Sequence, residues 1–203
     1  MVTLGELCSL ITKGTTPSSF ENSGVSFIKT EAFEGTRINS NKLSFVAQQT
    51  HEKELKRSIL KAYDILFTIA GATIGKCAIV TEDLLPANTN QALAIVRLTD
   101  IANRNYIFHI LQSQHMKDYI YRSVKSSAQP NLNLQQMNDF PIPLPSLEEQ
   151  ERIVALLDRF DALTTDISSG LPAEIAARLK QYEYYRDRLL TFKEDNYGKN
   201  TIA

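Results

Sequence analysis

The sequence predicts an α+β domain of short strands and helices followed by a long helical region. Three observations carry that expectation. Short apolar runs broken by turn residues fill roughly the first 140 positions. A proline-rich connector, Pro141-Ile142-Pro143-Leu144-Pro145, then interrupts the chain. Beyond it, apolar residues recur every three or four positions for about 45 residues, the period of a helix face.

Taken in order, Val25–Lys29 and Leu43–Val46 alternate as half-buried strands do. Asp64–Ile69 is a denser apolar run and reads as a central strand. Gly71 and Gly75 separate it from Cys77–Val80, which predicts a strand–turn–strand unit. Gln91–Leu98 is another apolar run rich in Ile, Val and Leu. From Arg104 to about Tyr121 the spacing turns helical, with Tyr106, Ile107, Ile110 and Leu111 on one face. The three prolines of the connector forbid helix and favour an extended path. Ser146 with Glu149 three residues on fits a capping box, so a long helix is expected to begin there.

That helix carries a stripe at Ile153, Leu157, Phe160, Leu163 and Ile167. Ser168-Ser169-Gly170-Leu171-Pro172 looks like a stop, yet the stripe resumes in phase at Leu171, Ile175, Leu179, Tyr182, Tyr185 and Leu189. The kept phase favours one kinked helix or two coaxial ones; a tight Gly–Pro turn is the alternative. A narrow stripe of this length exceeds what the small domain can cover, and calls for a partner helix. Ile153, Leu157, Phe160, Ile167, Leu179, Tyr182 and Leu189 are the expected contacts. The boundaries expected are 1–145 for the domain, 146–193 for the helical region and 194–203 for a flexible tail.

Bulk properties narrow the function classes. The net charge is −1, with residues 1–144 carrying 14 Lys+Arg against 12 Asp+Glu, and residues 145–203 carrying 8 against 11. A protein gripping nucleic acid alone would show a stronger basic bias, so any such binding needs a partner's charge as well. The two cysteines, Cys8 and Cys77, stand apart, which fits reduced thiols. No apolar run approaches the ~20 residues that span a bilayer, and the opening residues lack a signal-peptide pattern. A soluble, cytoplasmic protein is expected.

Catalytic constellations fail on inspection. Gly71-Ala72-Thr73-Ile74-Gly75-Lys76 has three residues between its glycines where a phosphate loop needs four, and Cys77 stands where Ser or Thr would bind magnesium. His51, His109 and His115 are too scattered for a ligand set, and Glu52, Glu54 and Asp64 do not form a hydrolase group. No enzyme, metal or cofactor is expected.

Several short segments share an order with one family. They are Leu4-Gly5-Glu6-Leu7, Lys13-Gly14-Thr15-Thr16-Pro17-Ser18, Val25–Thr30, Tyr63-Asp64-Ile65-Leu66, Gly71–Lys76, Asn88-Thr89-Asn90-Gln91-Ala92, Gln129-Pro130-Asn131-Leu132, the proline connector, and Glu149-Gln150 opening the helix that ends at Tyr185–Phe192. Together they span residues 4–193, and the chain resembles the type I restriction–modification specificity subunit. The resemblance implies a target-recognition domain that reads double-stranded DNA, with methyltransferase subunits supplying the chemistry and a motor–nuclease subunit joining for restriction. Such subunits look like two recognition domains held apart by an antiparallel pair of long helices. With one of each, this chain is expected to be half a subunit and to homodimerise onto a palindromic, gapped site. About 45 helical residues set a separation of at most roughly 65 Å. A scaffold or decoy that binds methyltransferase subunits without reading DNA is the rival reading.

Base edges are read by side chains on loops: Arg and Lys suit guanine, Asn and Gln suit adenine, and small residues suit thymine methyls. The candidates are Thr15, Thr16 and Ser18; Lys29 and Thr30; Gly71, Ala72, Thr73 and Lys76; Asn88, Asn90 and Gln91; and Gln129 and Asn131. For each, turn-forming or capping hydrogen bonds are the structural alternative.

Overall fold

The computed structural model describes residues 1–124, 131–165 and 170–190. It divides into two compact units, Met1–Val154 and Ala155–Ala203.

The first unit is built on two sheets. Its strands are β1 (Val2–Thr3), β2 (Cys8–Lys13), β3 (Val25–Ile28), β4 (Phe33–Glu34), β5 (Arg37–Ile38), β6 (Ser44–Val46), β7 (Ile65–Thr68), β8 (Cys77–Ile79), β9 (Ala87–Thr89), β10 (Leu93–Leu98) and β11 (Pro141–Ile142). The larger sheet runs β2-β10-β7-β8, antiparallel throughout. The smaller runs β6-β3-β9, with β3 parallel to β9 and antiparallel to β6. β11, inside the proline connector, pairs with β1, so the extended path expected there becomes a tie between the two ends of the domain.

The dense apolar runs are explained by burial on both faces of the larger sheet. Ile65 and Phe67 of β7 and Ala94 and Val96 of β10 belong to one core, with Ile107, Leu111, Met116 and Phe140. Leu66 of β7 and Leu93 and Ile95 of β10 belong to a second core, with Ile28, Leu60, Val80 and Ala87. Alternation along each strand thus feeds two cores, and neither face needs polar residues.

The first core is closed by α1 (Arg104–Gln112), α2 (Gln114–Ser123) and α3 (Leu134–Asn138). The single helix expected from Arg104 to about Tyr121 is broken at Ser113. Its hydroxyl donates to the Ile110 carbonyl at 2.6 Å and its backbone is extended, φ −70° and ψ 164°. A serine bonding back to the preceding turn competes with helix continuation. Asn133 caps α3 with a complete capping box through Gln136.

α4 (Leu147–Thr165) begins where Ser146 predicts. The Glu149 amide donates to Ser146 Oγ at 3.4 Å, while the Glu149 carboxylate is taken by Arg152 in two 2.7 Å bonds. The first two turns of α4 belong to the first unit. Gln150 is 1% exposed; it accepts from the Asn103 amide at 2.8 Å and donates to the Pro145 carbonyl at 2.9 Å. Val154 joins the first core and Ile153 packs against it. The first unit therefore extends about two turns past the expected boundary at 145.

In the second unit α4 continues to Thr165, and α5 spans Leu171–Leu190. The Gly170 carbonyl accepts from the Ala173 and Glu174 amides, which starts α5 at the Gly–Pro step. The kink or turn expected over residues 168–172 rests on Ser168 and Ser169, outside the described residues. No helix among the described residues is long and apolar enough to cross a membrane.

Candidate nucleic-acid interface

One rim of the first unit gathers most of the sequence-predicted loops. In the larger sheet, Ala94 pairs with Lys13 and Leu93 with Thr68, so β2 and β7 both end where β10 begins. In the smaller sheet Ile28 pairs in parallel with Thr89, so β3 and β9 end side by side. Asn90-Gln91-Ala92 joins β9 directly to β10. Four strand ends and two strand starts, those of β8 and β10, therefore open at the same edge.

Backbone hydrogen bonds stitch these loops together. The Gly14 amide donates to the Leu93 carbonyl and the Thr15 amide to the Thr89 carbonyl, both at 3.0 Å. The Ile69 amide donates to Ala92 at 2.9 Å, and the Leu132 amide to Ile69 at 2.8 Å. A bridge between Ala70 and Asn131 brings Asn131 beside Gly71. A Cβ on Gly14 would sit 2.2 Å from the Thr89 and Asn90 carbonyl oxygens. Only glycine lets β2 turn so close to the 89–90 backbone.

The side chains differ in how much the fold already uses them. Gly71 and Ala72 are exposed in the turn between β7 and β8, with Thr73 half-buried and Lys76 exposed. Gly71 and Gly75 hold φ of 85° and 91°, the left-handed values that let this turn close. The phosphate-loop look-alike is thus a turn between strands. Gln91 is exposed, and half-buried Asn90 accepts from the Ala92 amide at 3.2 Å. Thr16 is exposed and Thr15 half-buried. Ser18 is tied to Glu54, its amide at 2.8 Å and its hydroxyl at 2.9 Å. Thr30 donates to Glu31 at 3.3 Å. Lys29 holds its ammonium 3.9 Å over the Phe20 ring.

Asn88 departs from expectation. It is 0% exposed; its Oδ1 lies 2.6 Å from His51 Nδ1 and its Nδ2 donates to the Leu55 carbonyl and Ser58 Oγ. A buried amide must find such partners, and here it locks β9 to the 51–58 segment instead of facing outward. Gln129 lies outside the described residues.

Two rim residues escaped the sequence reading. Lys13 ends β2 and is exposed, and Phe20 is 43% exposed against Phe27, ring centroids 5.3 Å apart. The signal for Lys13 was the run Leu10-Ile11-Thr12 ahead of Gly14; Phe20 had none, because its place depends on Phe27. Lys13, Lys29 and Lys76 make the rim locally basic, offset by Glu31 and Glu54.

Among the described residues no side-chain group is arranged as a reaction centre. Burial pushes the Cys8 and Cys77 thiols up to about 12, the reverse of an activated nucleophile. No cluster of three His, Cys, Asp or Glu side chains suited to a metal occurs among the described residues. His51 serves Asn88, and His115 faces the Pro141 carbonyl at 3.1 Å.

In the second unit the expected stripe is on the surface. Leu157 is 37% exposed, Phe160 64%, Leu179 55% and Tyr182 61%. Ile153 is different, being packed against the first unit's core. Ile167 and the Leu189 side chain lie outside the described residues.

Residues 1–177 match the family described as type I restriction modification DNA specificity domain. The Escherichia coli type I restriction enzyme EcoR124I/EcoR124II specificity subunit is 30% identical over 204 residues, 98% of this chain and 50% of that protein. A putative type I restriction enzyme specificity subunit of Haemophilus influenzae is 32% identical over 146 residues, 70% of this chain and 35% of the other. A solved chain described in terms of complex assembly and conformational transition of the type I R-M system superposes with TM-score 0.65 and 25% identity, over 91% of this chain and 43% of that one. The HsdS subunit from Thermoanaerobacter tengcongensis shares the fold at TM-score 0.60 and 24% identity, over 91% and 43% of the two chains. This chain spans half the length of the E. coli relative and less of the others.

Proposed function

This chain belongs to the type I restriction modification DNA specificity family, and on that premise we propose how its two units divide the work. The first unit reads one half of a split site on double-stranded DNA through the rim. The second joins two copies into a reader of a palindromic, gapped site. The chain is a non-catalytic specificity module whose partners are methyltransferase subunits and, for restriction, a motor–nuclease subunit.

The observation that carries this reading is the convergence of the strand ends. Loops distant in sequence meet at one edge and present Thr16, Lys29, Gly71–Thr73, Lys76, Asn90, Gln91 and Asn131 together. Mixed amide, hydroxyl and ammonium donors on a rigid scaffold suit base edges and phosphates. Asn88, being buried, takes no part.

A parallel pair would set the acidic heads of α4, with Glu148, Glu149 and Glu151, against each other, whereas an antiparallel pair keeps them apart.

Selection from random-sequence duplexes, by the full chain with its methyltransferase subunit, tests the reading. Two inverted copies of one short motif at a fixed gap are expected. Enrichment of no motif would leave the decoy reading, and a single motif or two unlike motifs would refute the symmetric pair.

A further inference from the structure

One flank of the rim is built by a segment that the base-reading candidates leave unused. Between β6 and β7 the chain makes a wide five-residue helical turn, Thr50–Glu54, and then a tighter one, Lys56–Ser58. Wide turns of the first kind are rare and gather at functional sites. His51, Leu55 and Ser58 are buried, whereas Lys53, Lys56 and Arg57 are exposed.

The fold fixes this segment beside the loops of the rim. Ile59 forms an antiparallel bridge with Asn88, and the Leu60 amide donates to the Ala87 carbonyl at 2.9 Å. Antiparallel pairing sends the residues just before Ile59 toward the end of β9, where Asn90 and Gln91 open. Side chains tie it down further. Asn88 meets His51 at 2.6 Å and donates to the Leu55 carbonyl at 3.1 Å, while Glu54 accepts from the amide and hydroxyl of Ser18, in the loop after β2. The buried Asn88 thus sets the segment at a fixed distance from the rim.

Charge is left over there. Glu52 accepts from Gln48 at 2.7 Å, and Glu54 is taken by Ser18. Among the described residues Lys53, Lys56 and Arg57 have no ion-pair partner. In a chain whose net charge is −1, these three with Lys13, Lys29 and Lys76 gather six cations at one edge, against Glu31, Glu52 and Glu54.

We propose that Lys53, Lys56 and Arg57 form a phosphate clamp, holding the sugar–phosphate backbone of the duplex alongside the half-site that the rim reads. Such contacts fix the register of a protein on DNA without reading bases. Three cations within five residues on an open surface suit a polyanion, whose charges recur along its length. The inference rests on the DNA reading proposed above and adds to it a contact indifferent to sequence.

Binding of the full chain with its methyltransferase subunit to two labelled duplexes, one carrying the selected site and one of random sequence, tests this across a salt series. The clamp variant carries Lys53→Gln, Lys56→Gln and Arg57→Gln, all at exposed positions, so folding is retained. The control carries Lys61→Gln and Arg104→Gln, exposed cations at the opposite end of the larger sheet, before β7 and after β10. The clamp variant is expected to bind both duplexes roughly a hundredfold more weakly at about 0.1 M salt, with the slope of log affinity against log salt shallower by about 2–3. It should select the same sequence, and the control should bind as the wild type does. A clamp variant with the wild-type slope would overturn the proposal. So would a changed sequence preference, because the three residues would then be reading bases, and so would an equal loss in the control, which would assign the effect to net charge. A wild-type chain that binds neither duplex would overturn the DNA reading itself and the clamp with it, an outcome distinct from a wild type that binds DNA with the clamp variant indifferent.

Discussion

The two units treat apolar residues in opposite ways. In the first, Phe27, Phe67, Leu93, Ile95 and Phe140 are all 0% exposed, and the buried His51, Ser58 and Asn88 are matched with one another, whereas the buried Thr68 hydroxyl has no hydrogen-bond partner among the described residues. In the second, Phe160, Leu163, Ile175 and Tyr182 are more than half exposed along two helices. A fully buried Phe or Leu is worth about 1.5–3 kcal/mol relative to an exposed one, so the first unit has its stabilisation in hand. On the proposed reading, the second unit collects that stabilisation by pairing with a copy of itself, while the self-sufficient first unit presents a fixed rim.

The largest expected effect breaks the second unit and spares the first. In the proposed dimer, Leu157→Asp puts a charge in the seam twice, and is expected to cost about 4 kcal/mol, roughly a thousandfold in dissociation constant. Circular dichroism should still show the first unit melting at its original temperature; loss of that transition as well would mean that the units are not separable.

Next in size is a property of the closed core. With the thiols of Cys8 and Cys77 pushed up to about 12 by burial, native protein at pH 8 should react with a disulfide reagent on the order of a hundredfold more slowly than unfolded protein. The native state also keeps these protons after the unfolded state has released them. Stability should therefore fall as the pH rises from the ordinary thiol range toward 12.

Smaller effects sharpen the assignment of the rim. Gly14→Ala forces a methyl against two carbonyl oxygens and is expected to cost about 1–3 kcal/mol of stability. It should also lower DNA affinity while leaving the dimer mass unchanged. Lys76→Ala should leave stability within about 0.5 kcal/mol. If Lys76 meets a phosphate, the slope of log affinity against log salt becomes shallower by about 1, without any change in preferred sequence. A changed sequence preference would make it a base contact.

Much of this arrangement was legible from local pattern. β7 and β10 stood out because residues on both faces are apolar, and α4 because Ser146 and the stripe mark its start and face. β9 was not legible as a strand. Asn88 and Thr89 are polar but wholly buried, and their partners are His51, Leu55, Ser58 and Ile28, far away in sequence. The same long-range closure misdirected the reading of Asn88 as a surface amide. Ile153 kept the stripe's phase and still packs against the first core, because Gln150 fixes the head of α4 there before the exposed seam begins. The rim itself was legible only as separate loops; their meeting depends on strand order and on the parallel pairing of β3 with β9.

The mass of the purified full chain by light scattering, across a concentration series, tests most directly whether the second unit is completed by a second copy. A species of about twice the 22.8 kDa chain mass, falling to one chain mass in Leu157→Asp, is the expected result. A wild-type chain that scatters as a monomer at every concentration would contradict the pairing of copies through the helical stripe.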